Sequence, residues 1–140
     1  MPAQEQSVPM SKAKLWTAHI LKGIAILFLL FDSVIHLMLI APVVDSFHQL
    51  GLPVELAVTL GLIELTCLLL YSIPRTSIFG AILLTGYLGG AIAIQFRIQA
   101  PILSTTLFPI YVGILLWGGI FLVDEKLQAL IPFRKENEYE

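Results

Sequence analysis

Apolar residues dominate this chain in four long blocks, with polar residues gathered between them. The first apolar run extends from Leu15 or Gly23 to Val44 and gives a span at about residues 20–42. Further spans follow at about 54–73, 77–98 and 103–123. Each comes near the ~20 residues that a helix needs to cross the hydrocarbon core of a bilayer. Breakers separate them: Pro42, then Gly51 and Pro53, then Pro74, then Pro101. Pro109 falls inside the fourth block, where it either sits in the first turns or kinks the helix. Short connections make sequential neighbours antiparallel. The pattern predicts an all-α fold, an up-down four-helix bundle in the membrane.

Composition agrees with this reading. The chain is 57% hydrophobic and 13% charged, against about a quarter charged in a soluble domain. Net charge is −2, without the basic surplus that nucleic acid requires. One cysteine, Cys67, excludes an intramolecular disulfide, a CxxC pair or a thiolate cage. The cations are distributed unevenly. Lys12, Lys14, Lys22, Arg75, Lys126, Arg134 and Lys135 fall on one side, and only Arg97 on the other. By the positive-inside rule both termini are expected in the cytoplasm. The apolar stretch runs on past Asp32 with no A-x-A-like site after it, so an uncleaved anchor is expected. Residues 1–11 read as a disordered lead, 12–134 as one membrane domain and 135–140 as an acidic tail. Leu127, Leu130 and Ile131 recur at helical spacing, which predicts a short helix along the inner interface.

Polar residues inside the spans are the informative exceptions. Helix rise places Asp32 ~12 Å and His36 ~6 Å from the outer end of span 1. The same rise puts Glu64 ~15 Å, Tyr111 ~12 Å and Tyr87 ~16 Å deep. Gln95 and Arg97 close span 3 near that surface. A central aspartate or arginine costs ~2.5–3.5 kcal/mol on insertion scales. Asp32 and His36, four residues apart, reach each other along one helix face. With Glu64 they are expected to share a polar pocket that opens outward, walled by Tyr87, Gln95, Arg97 and Tyr111.

Other readings compete with that pocket. Asp32 and His36 also suit a ligand-free ion pair between helices. A metal held by Asp32, His36 and Glu64 is chemically allowed, but no HxxH or ExxH spacing supports it, and none is expected. Gly86 and Gly90 form a GxxxG pair in span 3, expected to pack a neighbouring helix of the same bundle in preference to a second copy. Trp16, Trp117, Tyr71 and Phe79 fall near the inner boundary, as an aromatic belt would. Cys67 reads as a small buried hydrophobe.

The segments "YSIPRTSIFGAILLTGYLGGAIAIQFRI" and "LFPIYVGILLWGGIFLVDEKLQALIPFR" resemble the DoxX-like family of small four-helix bacterial membrane proteins. The Pro-Arg-Thr turn at 74–76, "GYLGGA", Arg97, "FPIYVG", "WGG" and "LIPFR" carry the resemblance, and "GLIEL" around Glu64 fits it. Together they cover roughly residues 54–134, and "FDSVIHL" matches more loosely. The resemblance implies a multi-pass inner-membrane protein. The broader group includes subunits associated with thiosulfate:quinone oxidoreduction and with oxidative-stress complexes. This chain has no cysteine pair and no recognisable haem, flavin or nucleotide motif, so no catalytic residue is assigned. The leading expectation is an accessory or assembly subunit whose pocket takes a lipid-like ligand or a partner helix. The alternative is a redox subunit that binds a quinone, with Asp32, His36 or Glu64 relaying protons. A small proton-coupled transporter ranks last, because no paired broken helices are evident.

Overall fold

A computed structural model describes residues 10–130. Among these, α1 spans Lys12–Met38, α2 Ala41–Leu50, α3 Glu55–Ser72 and α4 Ser77–Arg97. A π-helical turn, Ile102–Thr106, leads into α5, Phe108–Phe121, and α6 follows at Glu125–Leu130. The described residues contain no strand. Four segments are long and apolar enough to span a bilayer: α1, α3, α4 and the stretch Ile102–Phe121. They pack as a closed ring in which α1 touches α3, α3 touches α4, α4 touches α5 and α5 touches α1. Large apolar side chains such as Leu27 (69% exposed) and Phe31 (63%) cover the outside. In water such a belt would be a liability; against lipid it is the expected surface.

The breakers act where the sequence places them, with two refinements. Span 1 does not continue to Val44. Leu39 adopts a left-handed conformation at φ 49° and ends α1. A new helix then starts with Pro42 in its first turn, where a missing amide hydrogen costs nothing. The expected outer loop is therefore mostly α2, which lays Val43 and Phe47 onto Ala57 of α3. Span 4 is divided as well. Pro109 occupies the first turn of α5, behind the π-helical turn, so it starts a helix and does not kink one.

The basic end of the bundle is tightly packed. Tyr71 is fully buried, with its hydroxyl donating to the Leu116 carbonyl at 2.8 Å. It therefore belongs to the core with Leu84 and Leu116, which corrects its expected place in an aromatic belt. Trp16 (70% exposed) and Phe79 (56%) do face outward. The Trp117 indole donates to Thr85 at 2.8 Å. At α6 the Asp124 carboxylate accepts the Leu127 amide at 2.9 Å, an N-terminal cap. Leu127 is buried in the main core while Leu130 is 83% exposed, so α6 folds against the bundle. Ile131, the acidic tail and residues 1–9 of the lead lie outside the described residues.

Candidate functional site

Where α1 crosses α3, Gly61 has no side chain to hold the helices apart. A Cβ there would lie 3.0 Å from the His36 Cβ and 3.1 Å from the Ser33 carbonyl. One turn further along α3, the same close approach carries Glu64 up to the polar face of α1. Asp32, His36 and Glu64 each present a ligand atom, and those atoms lie within 4.8 Å of one another. The expected convergence of the three is what the structure shows.

Each polar group has a defined neighbour, with one exception. His36 Nδ1 lies 2.8 Å from the Asp32 carbonyl oxygen and 3.4 Å from Asp32 Oδ2. A carbonyl only accepts, so Nδ1 carries the proton in that contact. The Tyr87 hydroxyl donates to Glu64 Oε2 at 3.3 Å. Ser33, fully buried beside them, donates to the Leu29 carbonyl at 2.7 Å. Glu64 Oε1 is left over. Glu64 is fully buried, and Oε1 is the one buried side-chain oxygen or nitrogen without a partner among the described residues. An orphaned carboxylate oxygen at such a depth is expensive unless something arrives to meet it.

The cluster opens into a cavity of about 800 Å³ in the half of the bundle nearest α2. All four spanning segments contribute to it, and most of its wall is apolar. Phe28 and Leu29 of α1, Leu60 and Cys67 of α3, and Val112 of α5 supply that wall. At the end nearest α2 the lining combines buried Val43 and Phe47 with exposed Pro42 and Ser46. The Phe47 ring meets the His36 ring edge-on, with centroids 5.8 Å apart. Further exposed lining residues are Ile63 of α3, Leu83, Gly86 and Gly90 of α4, Ser104 of the π-helical turn and Phe108 of α5.

Five of the expected residues line this space: Asp32, His36, Glu64, Tyr87 and Gln95. Two do not. Tyr111 is 45% exposed and donates to the Leu103 carbonyl at 3.2 Å. The cavity-facing positions of α5 are Phe108, Pro109 and Val112, and a neighbouring position is turned ~100° away by helix geometry. Arg97 is exposed and donates to the Leu50 carbonyl. Its charge is drawn to the partially negative C-terminus of α2, so it ties α2 to α4 and stays out of the pocket.

Gly86 and Gly90 also differ from expectation. A Cβ added at either meets nothing within 4 Å, so neither packs a neighbouring helix of the bundle, and both front the cavity. The close glycine contacts are Gly61, Gly80 against the backbone of Leu70 and Tyr71, and Gly119 against Lys22. Sequence reasoning missed α2 and Ser33 altogether. The i, i+4 pair Val43 and Phe47 is a signal that was present in the sequence for α2. Ser33, beside Asp32 in an apolar run, carried none.

No curated protein and no solved structure matches the chain. The model of the DoxX-like family matches residues 20–119. That stretch holds α3, α4, most of the other two spanning segments and every residue that lines the cavity, and the chain belongs to the DoxX-like family.

Proposed function

We propose that this multi-pass membrane protein is an accessory subunit that holds one amphiphilic, lipid-like molecule inside its bundle. The observation that carries this reading is the cavity. At about 800 Å³ it falls in the ~300–1,000 Å³ range of small-molecule sites. Apolar walls and one polar corner suit a molecule with a long hydrocarbon part and a compact polar head. The head meets Glu64, Asp32, His36 and Tyr87; the chain passes Gly86 and Gly90 towards the lipid. We assign the protein to the inner membrane with both termini cytoplasmic, which puts the cavity in the outer leaflet. The seven-to-one bias of lysine and arginine supports that orientation.

Extraction from native membranes tests the ligand. Protein purified in mild detergent should carry about one molecule of a single lipid class, read by mass spectrometry of an organic extract. Gly86→Leu, which fills the cavity wall, should lose it. A wild type that carries only the bulk lipid mixture contradicts the reading. Recovery of a stoichiometric protein in place of a lipid would instead make the cavity a seat for a partner helix.

A second reading rests on the closeness of Asp32, His36 and Glu64, within 4.8 Å of one another. Three ionisable groups at that spacing suit proton transfer to a quinone head. A quinone in the extract, together with redox activity lost in Asp32→Asn, favours it.

A further inference from the structure

We propose that Asp32, His36 and Glu64 form a divalent-cation site at the polar corner of the cavity. Sequence spacing argues against a metal because α1 alone offers only Asp32 and His36. The third ligand comes from α3, delivered by the glycine crossing at Gly61. Ligand atoms within 4.8 Å of one another reach a common ion with small side-chain shifts. Two carboxylates and one imidazole are a donor set for Zn²⁺ or Mn²⁺.

Two further observations point to a cation. Glu64 is fully buried and its Oε1 has no partner. The Tyr87 hydroxyl holds Oε2, which leaves Oε1 as the carboxylate oxygen without a partner on a residue that lines the cavity. Charge gives the other. With both carboxyls ionised, as ligation of a metal requires, Asp32 and Glu64 total −2, and no lysine or arginine lines the cavity among the described residues. Arg97 is engaged at the Leu50 carbonyl. Lys22 is at the basic end, bonded to Ser77 and 5.0 Å from the Tyr71 ring centroid. A protonated His36 offsets only one of the two charges. A divalent ion with a neutral imidazole offsets both. His36 keeps its bond to the Asp32 carbonyl if Nε2 ligates and gives it up if Nδ1 does. The outer bond from Tyr87 to Glu64 is the kind of support that orients a metal-binding carboxylate.

The metal site uses residues that the amphiphile's head would meet, but it forms without the amphiphile. The test uses protein without a histidine tag, stripped of metal, in detergent micelles. Titration with Zn²⁺ and separately with Mn²⁺ should show one saturable site and a rise in the unfolding temperature. Glu64→Gln and Asp32→Asn should each weaken binding by at least the ~10–100-fold that lost outer-shell support costs. His48→Ala, on exposed α2, should leave it unchanged. Co²⁺ loaded into the wild type gives a readout that needs no variant: its visible spectrum should report mixed nitrogen and oxygen ligation. Gly86→Leu should lose the amphiphile yet keep the metal, so the two readings fail separately. Absence of a saturable site, or binding that survives Glu64→Gln and Asp32→Asn, overturns the metal site.

Discussion

At the basic end of the bundle, Gly80 lies beneath the backbone of Leu70 and Tyr71, and Tyr71, Leu84 and Leu116 fill the core around it. In the other half, Gly86 and Gly90 of the same helix meet nothing within 4 Å and front a cavity. One residue type thus serves opposite purposes within two turns or so. At Gly80 the missing side chain lets backbones touch. At Gly86 and Gly90 it leaves room. A small-xxx-small pattern therefore marks a thin place on a helix, and only the facing element decides whether a helix or a ligand fills it.

The sharpest way to break this comparison is to add bulk at each glycine. Gly80→Leu should destabilise the protein by ~3 kcal/mol or more, at or beyond the upper end of overpacking costs, because its Cβ would lie 2.8 Å from the Leu70 carbonyl carbon. Gly86→Leu should stay within ~0.5 kcal/mol of wild type freed of bound lipid. Thermal unfolding in micelles reads both. Similar losses in the two variants would mean that the halves are packed alike.

A smaller effect is expected at the polar corner. His36→Ala leaves Asp32 beside Glu64 without its imidazole. Adding Asp32→Asn should restore ~1 kcal/mol, since a stranded charge costs more than an absent pair. A double variant no more stable than the single one would show that the pair contributes little. In the packed half, Tyr71→Phe removes the bond to the Leu116 carbonyl and should cost ~1–1.5 kcal/mol. A change of similar size is expected in Gly51→Ala. Gly51 holds φ 64° beside Arg97, and an alanine there should cost ~1–2 kcal/mol. A neutral result would mean that the α2 connection relaxes freely.

The fold was legible because a bilayer imposes length and polarity directly on the sequence: four apolar blocks and proline punctuation suffice for four spans. Helix α2 was hidden by the same rule. Its apolar residues adjoin span 1, and only the left-handed turn at Leu39 separates them. The polar cluster was legible through depth, since Asp32, His36 and Glu64 are costly wherever they are not facing one another. Tyr111 lies at matching depth and Arg97 closes span 3 in the same leaflet, but both point elsewhere. Depth is a count of residues, whereas direction depends on helix rotation and on partners such as the Leu50 carbonyl, which sequence does not display. The glycine pair was misread for the same reason.

We propose that the space beside Gly86 and Gly90 belongs to a bound amphiphile. The most direct measurement is NMR on protein purified from native membranes with whatever it retains, then exchanged into deuterated detergent. Nuclear Overhauser contacts from the Gly86 and Gly90 α-protons to aliphatic protons foreign to the chain are the predicted result, with Gly80 showing contacts only to Leu70 and Tyr71. Contacts from all three glycines to protons of their own chain alone would contradict it, since the cavity would then be closed by the protein itself.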